Sequence, residues 1–276
     1  MSYLKNPKWI SQFLYPYKKL EEIEQSVFDE INKDLDKIQS KDPIVSVVVI
    51  AWNEEVNILR CVASLSKMVT SIPFEIIVVN NNSKDRTQDT IDKLHIKSFN
   101  ELKQGAGPAR QKGQENALGQ YILTADADCF YPSCWVDEMV NVLSKKDVVC
   151  VYGRYSFIGN DSFPRWKLLL LEKLKDIMAE IRHAKQPYFN TFGISMGYVK
   201  EYGLKIGFIE INRRGEDGQL CMDLMKYGKV RQMKARKARV WTGVRTLMQD
   251  GSFFEILSSR IQQDLKRFKF NFIKRN

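Results

Sequence analysis

Between Ile44 and Tyr152 the chain alternates short β-branched runs with amphipathic stretches, and three of those runs end on clusters of polar residues. Ile44 to Ile50 is almost wholly apolar, as a strand buried on both faces must be. Glu54 to Lys67 follows as a helix carrying Val56, Leu59, Ala63 and Leu65. The pattern repeats with a strand over Glu75 to Val79, a helix to Leu94, a short strand around His95 to Phe99, a helix over Pro108 to Leu118 and a strand over Tyr121 to Ala125. A helix from Ser133 to Leu143, capped by Ser133, and a strand from Val148 to Tyr152 complete it. Such alternation predicts an α/β fold with a mostly parallel central sheet flanked by helices, its ligands gathering beyond the carboxyl ends of the strands.

The flanks read differently. Leu20, Ile23, Val27, Ile31, Leu35 and Ile38 form one apolar stripe on a solvated helix that Lys41-Asp42-Pro43 closes, which predicts a separable N-terminal helical extension over residues 1–42. The alternating region, 43–245, is then the main α/β domain, and 246–276 a C-terminal basic amphipathic tail. At 276 residues and 44% hydrophobic composition the chain can bury a substantial core, and disorder is excluded. Cys61, Cys129, Cys134, Cys150 and Cys221 form no CxxC pair, so neither a disulfide framework nor a zinc site is indicated, and a reducing cytosol is the simplest compartment. The N-terminus lacks the apolar core of a secretory signal, and the densest apolar run, Trp166 to Leu171, is too short to span a bilayer. A cytoplasmic protein, soluble or peripheral on the inner face of the membrane, is expected.

Thirteen basic residues against three acids from Lys229 onward account for the whole net charge of +10. That asymmetry suggests an anionic partner for the C-terminal part: a phosphate, a nucleic acid or a membrane face. Phe254, Leu257, Ile261 and Leu265 form a helical stripe with Arg260, Lys266, Arg267 and Lys269 around or after it. Such a helix either lies on an anionic membrane surface or packs on the domain or a second subunit.

The residues just after the strands are the ones that would meet a ligand. They are Trp52, Asn53, Glu54 and Glu55; Asn80 to Ser83 with Asp85; and Asp126-Ala127-Asp128. Two carboxylates one residue apart at a strand end can offer oxygen ligands to a hard divalent cation that also holds phosphates, although an isolated pair is more often a solvated turn. Their order matters more than any one of them. These clusters, with Gly105-x-Gly107-x-Ala109-Arg110-x-x-Gly113, Ala117-x-Gly119-x-Tyr121-Ile122, Gly215-Glu216-Asp217-x-x-Leu220 and Gly228, resemble the inverting family 2 glycosyltransferases of the GT-A fold over roughly Ile44 to Val230.

The resemblance implies roles residue by residue. Asn53, Glu54, Asn81 and Asn82 match positions that hold the base and ribose of a nucleotide-diphospho-sugar donor, and Arg110 an arginine near the base or diphosphate. Asp128 matches the metal carboxylate, for Mn2+ or Mg2+, with Asp126 supporting the ribose and the metal's water shell. Asp217 matches the catalytic base on the Glu216-Asp217 pair. The chemistry agrees, because inversion at an anomeric carbon needs a carboxylate to take the acceptor hydroxyl's proton, opposite a cation that neutralises the leaving diphosphate. From the residues alone, Glu216 and Asp217 also suit the first turn of a helix. Arg245, in Trp241-Thr242-Gly243-x-Arg245, could close on the diphosphate or belong to a solvated basic loop.

In one place the chain departs from the family. Many members carry an aspartate where Asn80 or Asn81 stands, which leaves the identity of the base open; part of the triplet could equally shape the loop. Gly193-Ile194-Ser195-Met196-Gly197 falls where the family's acceptor-side segment sits, or is a plain turn. His95 and His183 read as structural, with His183 a weak third metal ligand. The QxxRW motif of processive members is absent, so transfer of a single sugar to a saccharide or lipid-linked saccharide, in polysaccharide or glycolipid assembly, is expected. Rival classes fit less well. A sugar nucleotidyltransferase or a Rossmann dehydrogenase wants a glycine-rich loop where Ala51-Trp52-Asn53-Glu54-Glu55 stands. A non-catalytic nucleotide- or nucleic-acid-binding module would leave the polar strand ends unexplained, and no nucleic acid partner is expected.

Overall fold

The computed structural model describes residues 4–209, 215–245 and 247. The tail expected over 246–276 lies, apart from Leu247, outside the described residues.

In chain order the first half contains α1 (Gln25–Ile38), β1 (Val45–Ala51), α2 (Asn57–Leu65), β2 (Phe74–Asn80), α3 (Thr87–Ile91), β3 (Lys97–Asn100), α4 (Ala106–Asn116) and β4 (Tyr121–Asp126). Then come β5 (Cys129–Phe130), α5 (Trp135–Leu143), β6 (Val148–Tyr152), β7 (Tyr155–Phe157), α6 (Arg165–His183), β8 (Met196–Val199) and α7 (Lys200–Ile206). The last are α8 (Glu216–Leu224), β9 (Lys229–Gln232) and β10 (Val240–Thr242). Seven strands make one sheet in the order β3-β2-β1-β4-β8-β6-β9. Only β8 runs against its neighbours; the rest pair in parallel. The mostly parallel sheet expected from the sequence is therefore observed.

Register carries that sheet into function. Ala51 stands beside Asn80, and Ile50 beside Asp126, so β1, β2 and β4 end level and their polar clusters share one edge. Backbone bonds extend the alignment past the strands: Asn81 N–H donates to Ala51 O (2.8 Å) and Ala127 N–H to Ile50 O (3.1 Å). β1 and β2 are buried almost throughout, which is why their residues are β-branched and apolar on both faces. α4 lies close on β1 because Gly113 faces Val48; a Cβ there would collide with the Val48 side chain.

Two sequence expectations change. The N-terminal stripe is not one helix: Lys8–Phe13 and Leu20–Glu22 are 3-10 turns, and only Gln25–Ile38 is α-helical. Nor is the segment separable, because Ile10, Phe13, Leu20, Phe28, Ile31 and Leu35 share one buried cluster with β1, β2 and α2. Polar bonds reinforce the packing, from Arg60 to the carbonyls of Tyr15 (2.6 Å) and Tyr17 (3.0 Å), and from Leu20 N–H to Glu55 (2.6 Å). Periodicity showed an apolar stripe but could not say what it faced. Second, Ser133 is no cap. α5 begins at Trp135 after Cys134, without a side-chain capping bond, and the Ser133 carbonyl instead accepts from Val69 N–H.

Candidate active site

The level strand ends open onto a cleft of about 1580 Å³, whose far side is formed by β7, α6, the turn at Pro187–Asn190 and the start of α8. Trp52, Glu54, Asn81, Arg110, Asp126, Asp128, Glu216 and Asp217 all line it. Residues more than 150 positions apart in the chain thus meet in one space.

At its floor sits Arg110, on α4 and 3% exposed. Its guanidinium donates to Asp126 Oδ1 (2.9 Å) and to Glu216, and its Nη1 lies 2.7 Å from Asp217 Oδ1. Arg110, expected near the base or diphosphate, lines the cleft and joins the Asp126 strand end to the Glu216-Asp217 pair as a buried strut. Three carboxylates around it hold its proton more firmly than usual, against the opposing effect of burial. Gly193 packs on the guanidinium so closely that a Cβ would occupy the same space. That contact explains a glycine in the Gly193–Gly197 segment, which forms a 3-10 turn and then β8.

Asp217 is held from the other side. Gly193 N–H donates to its Oδ2 (2.7 Å), and Oδ1, fully buried, forms an ion pair with Arg110 Nη1 (2.7 Å). Burial pushes its carboxyl up to about 7, helped by Glu216 and opposed by Arg110. A buried carboxylate at a cleft wall, with a proton affinity near neutrality, is suited to taking a proton from a ligand. Glu216 and Asp217 also occupy the first turn of α8, as the helix-start reading expected.

Asp128 stands at the opposite side of the acidic group. Burial, then Asp126 and Glu54, push its carboxyl up to about 6. Arg245 reaches over from beyond β10, pairing with Glu54 and placing Nη2 3.4 Å from Asp128 Oδ2. An acidic pocket that draws a cation from the chain itself has the donor set a hard divalent ion fits. Among the described residues no three His, Cys, Asp or Glu side chains cluster as a metal cage. His183 is not a ligand there: its Nδ1 is 2.7 Å from the Tyr152 hydroxyl, while His95 pairs with Asp36 at the surface (3.0 Å).

The asparagines divide. Asn53 and Asn82 adopt left-handed backbone (φ 55° and 56°), which asparagine tolerates, and neither lines the cleft. Asn53 Oδ1 accepts from Lys84 N–H (2.8 Å), and Asn82 donates to Leu102 O (3.2 Å). Asn81 does line the cleft, yet its amide is fully engaged: it donates to Glu101 O and Lys103 O and accepts from Gly105 N–H. An aspartate could not make the two donations, which gives a physical reason for the amide here. The loop-shaping alternative accounts for most of the triplet.

Other residues that shape the site were not singled out from the sequence. Tyr131, buried beneath the strand end, donates to Ile194 O (3.1 Å) and accepts from Asp126 N–H (2.9 Å), locking the strand end against the segment before β8. Tyr155, Phe189 and Phe192 wall the far side with Lys175 and Arg182. No local pattern marks them, because only the sheet brings β7 and α6 opposite β1.

A mostly parallel sheet whose strand ends and α8 converge on one acidic cleft is the architecture of GT-A glycosyltransferases. Solved structures with this fold include Staphylococcus aureus TarS in complex with UDP-GlcNAc (18% identity, TM-score 0.54, 73% of this chain and 58% of that one). Another is the Pyrobaculum calidifontis mannosyltransferase PcManGT in complex with GDP-Man and Mn2+ (15%, 0.57, 85% and 70%). The chain belongs to glycosyl transferase family 2, whose model matches residues 46–201. Among sequence relatives, glycosyltransferase AglE of Haloferax volcanii is 32% identical over 52% of this chain and 50% of its own length. A dolichol-phosphate mannosyltransferase of Pyrococcus furiosus is 24% identical over 59% and 50%. The chain spans about half the length of these two relatives. No helix among the described residues is long and apolar enough to cross a membrane.

Proposed function

We propose that the chain is an inverting, metal-dependent glycosyltransferase that moves a single sugar from a nucleotide-diphospho-sugar to a hydroxyl of a saccharide or lipid-linked saccharide. The observation that carries this reading is the buried Asp217 carboxylate, with Oδ2 held by Gly193 N–H and Oδ1 paired with Arg110, at the cleft that Asp126 and Asp128 also line. Asp217 takes the proton of the acceptor hydroxyl. The acceptor oxygen then bonds to the anomeric carbon from the face opposite the leaving group, and the carbon–oxygen bond to the diphosphate breaks with its electron pair leaving on the nucleoside diphosphate.

The chain's own residues prepare that displacement. Arg110 holds Asp217 and Asp126 at a set separation and lowers the proton affinity that burial raises in Asp217. Arg245, freed from Asp128 and Glu54, would turn to the diphosphate, for which a guanidinium is a bidentate partner. Asp128 and Asp126 would hold a divalent cation, which neutralises charge gathering on the departing diphosphate. With two carboxylates from the protein, donor phosphates and water complete such a coordination shell.

A thermal-shift panel of UDP, GDP and dTDP with and without manganese tests the reading, since a ligand that binds only the folded state raises the melting temperature. A manganese-dependent shift with one nucleotide is expected and would set the donor class. No shift with any of them would overturn it.

A further inference from the structure

The outer face of α6 carries an apolar stripe that nothing in the described fold covers. Trp166, Leu170, Ile177 and Ile181 are 58%, 53%, 59% and 51% exposed, at spacings that put them on one side of the helix with Lys173 among them. From Trp166 to Ile181 the stripe runs about 22 Å at 1.5 Å per residue. Its electrostatics are one-sided. Each acid of the helix is neutralised from within the protein: Glu172 by buried Arg165 (2.8 Å), Asp176 by Arg239 (2.8 Å), and Glu180 by Lys234 (2.8 Å) and Arg154. Lys173 on the helix and Lys185 just past its end stay exposed, and the Lys167 ammonium lies 5.5 Å from the Trp166 ring centre.

We propose that this face of α6 docks on an anionic lipid surface. An exposed tryptophan with aliphatic neighbours and lysines along one helix face matches an interface that is apolar below and negatively charged at the headgroups. The basic chain beyond Leu247 is a poorer match, since six bases against three acids there would meet lysines of the same sign. The inner side of the same helix lines the cleft through Leu171 and Leu174, so docking would bring that wall of the cleft to the membrane.

The test is flotation of the full chain with phosphatidylcholine vesicles containing about 30% phosphatidylglycerol, against phosphatidylcholine alone. Wild type should float with the anionic vesicles, and Leu170→Glu/Ile177→Glu should lose about tenfold of that recovery with an unchanged melting temperature. Should that variant aggregate, Lys173→Glu/Lys185→Glu keeps the test, with several-fold lower recovery expected. Trp166→Phe should still float but lose quenching by brominated lipid. Wild type that fails to float, or variants that float as wild type does, would overturn the proposal, the latter assigning lipid binding elsewhere on the chain. A dimer in sedimentation that Ile177→Glu splits, with no lipid binding, would also overturn it by giving the face to a second copy.

Discussion

Replacing Asp217 with asparagine should abolish transfer and, at alkaline pH, make the protein more stable. The carboxyl has a folded-state pKa of about 7 because it is buried, against an ordinary value near 3.9. Its folded pKa is raised, so the folded state holds the proton more tightly, and stability is lost as pH rises from about 4 to about 7. Three units at 1.36 kcal/mol each give about 4 kcal/mol as an upper bound for what the ionised group costs above that window. Asparagine never pays ionisation, but its amide opposite Arg110 Nη1 sets donor against donor, which offsets about 1–2 kcal/mol. A net gain of about 2 kcal/mol, or about 4 °C in melting temperature, is expected near pH 8, vanishing near pH 5. Calorimetry at the two pH values reads it directly, with transfer down by about 10²–10⁴ and nucleotide binding retained. A variant destabilised equally at both pH values would refute a buried, proton-binding Asp217, and one with full transfer would refute its role as base.

Three further outcomes follow from the same geometry. Asp128, pushed up to about 6, should lose a cation as it protonates, so a manganese-induced thermal shift at pH 7.5 should fade as pH falls through about 6. Gly193→Ala would drive a methyl into the Arg110 guanidinium, and thermal unfolding should record a loss of about 1–3 kcal/mol together with lower transfer, while Gly243→Ala, where a Cβ meets open space, should be near neutral. Removal of residues 1–38 would uncover the buried partners of Phe28, Ile31 and Leu35, and proteolysis should show an opened domain rather than a trimmed one.

The legible part of this protein is its periodic part. β1, β2 and β4 are buried on both faces, so their composition announces them, and the polar clusters at their ends mark the edge where ligands gather. The 3-10 turns before α1 are less legible, because Leu20 and Ile23 keep helical spacing while the chain around them does not form a helix. The Asn80–Asn82 triplet was legible only as two alternatives, since an amide that shapes a loop and one that meets a base have the same local sequence.

What the sequence by itself determined is therefore the α/β order, the family resemblance and the candidate carboxylates at Asp126, Asp128 and Asp217. Only the tertiary structure decided that Arg110 lies beneath them as a strut, that Arg245 stands over Asp128, and that the N-terminal stripe faces the core. The physical reason is range. Backbone propensity and alternation act over a few neighbours and leave a trace in local composition, whereas a Coulomb contact between residues 107 positions apart, such as Arg110 and Asp217, exists only once the sheet has set their distance.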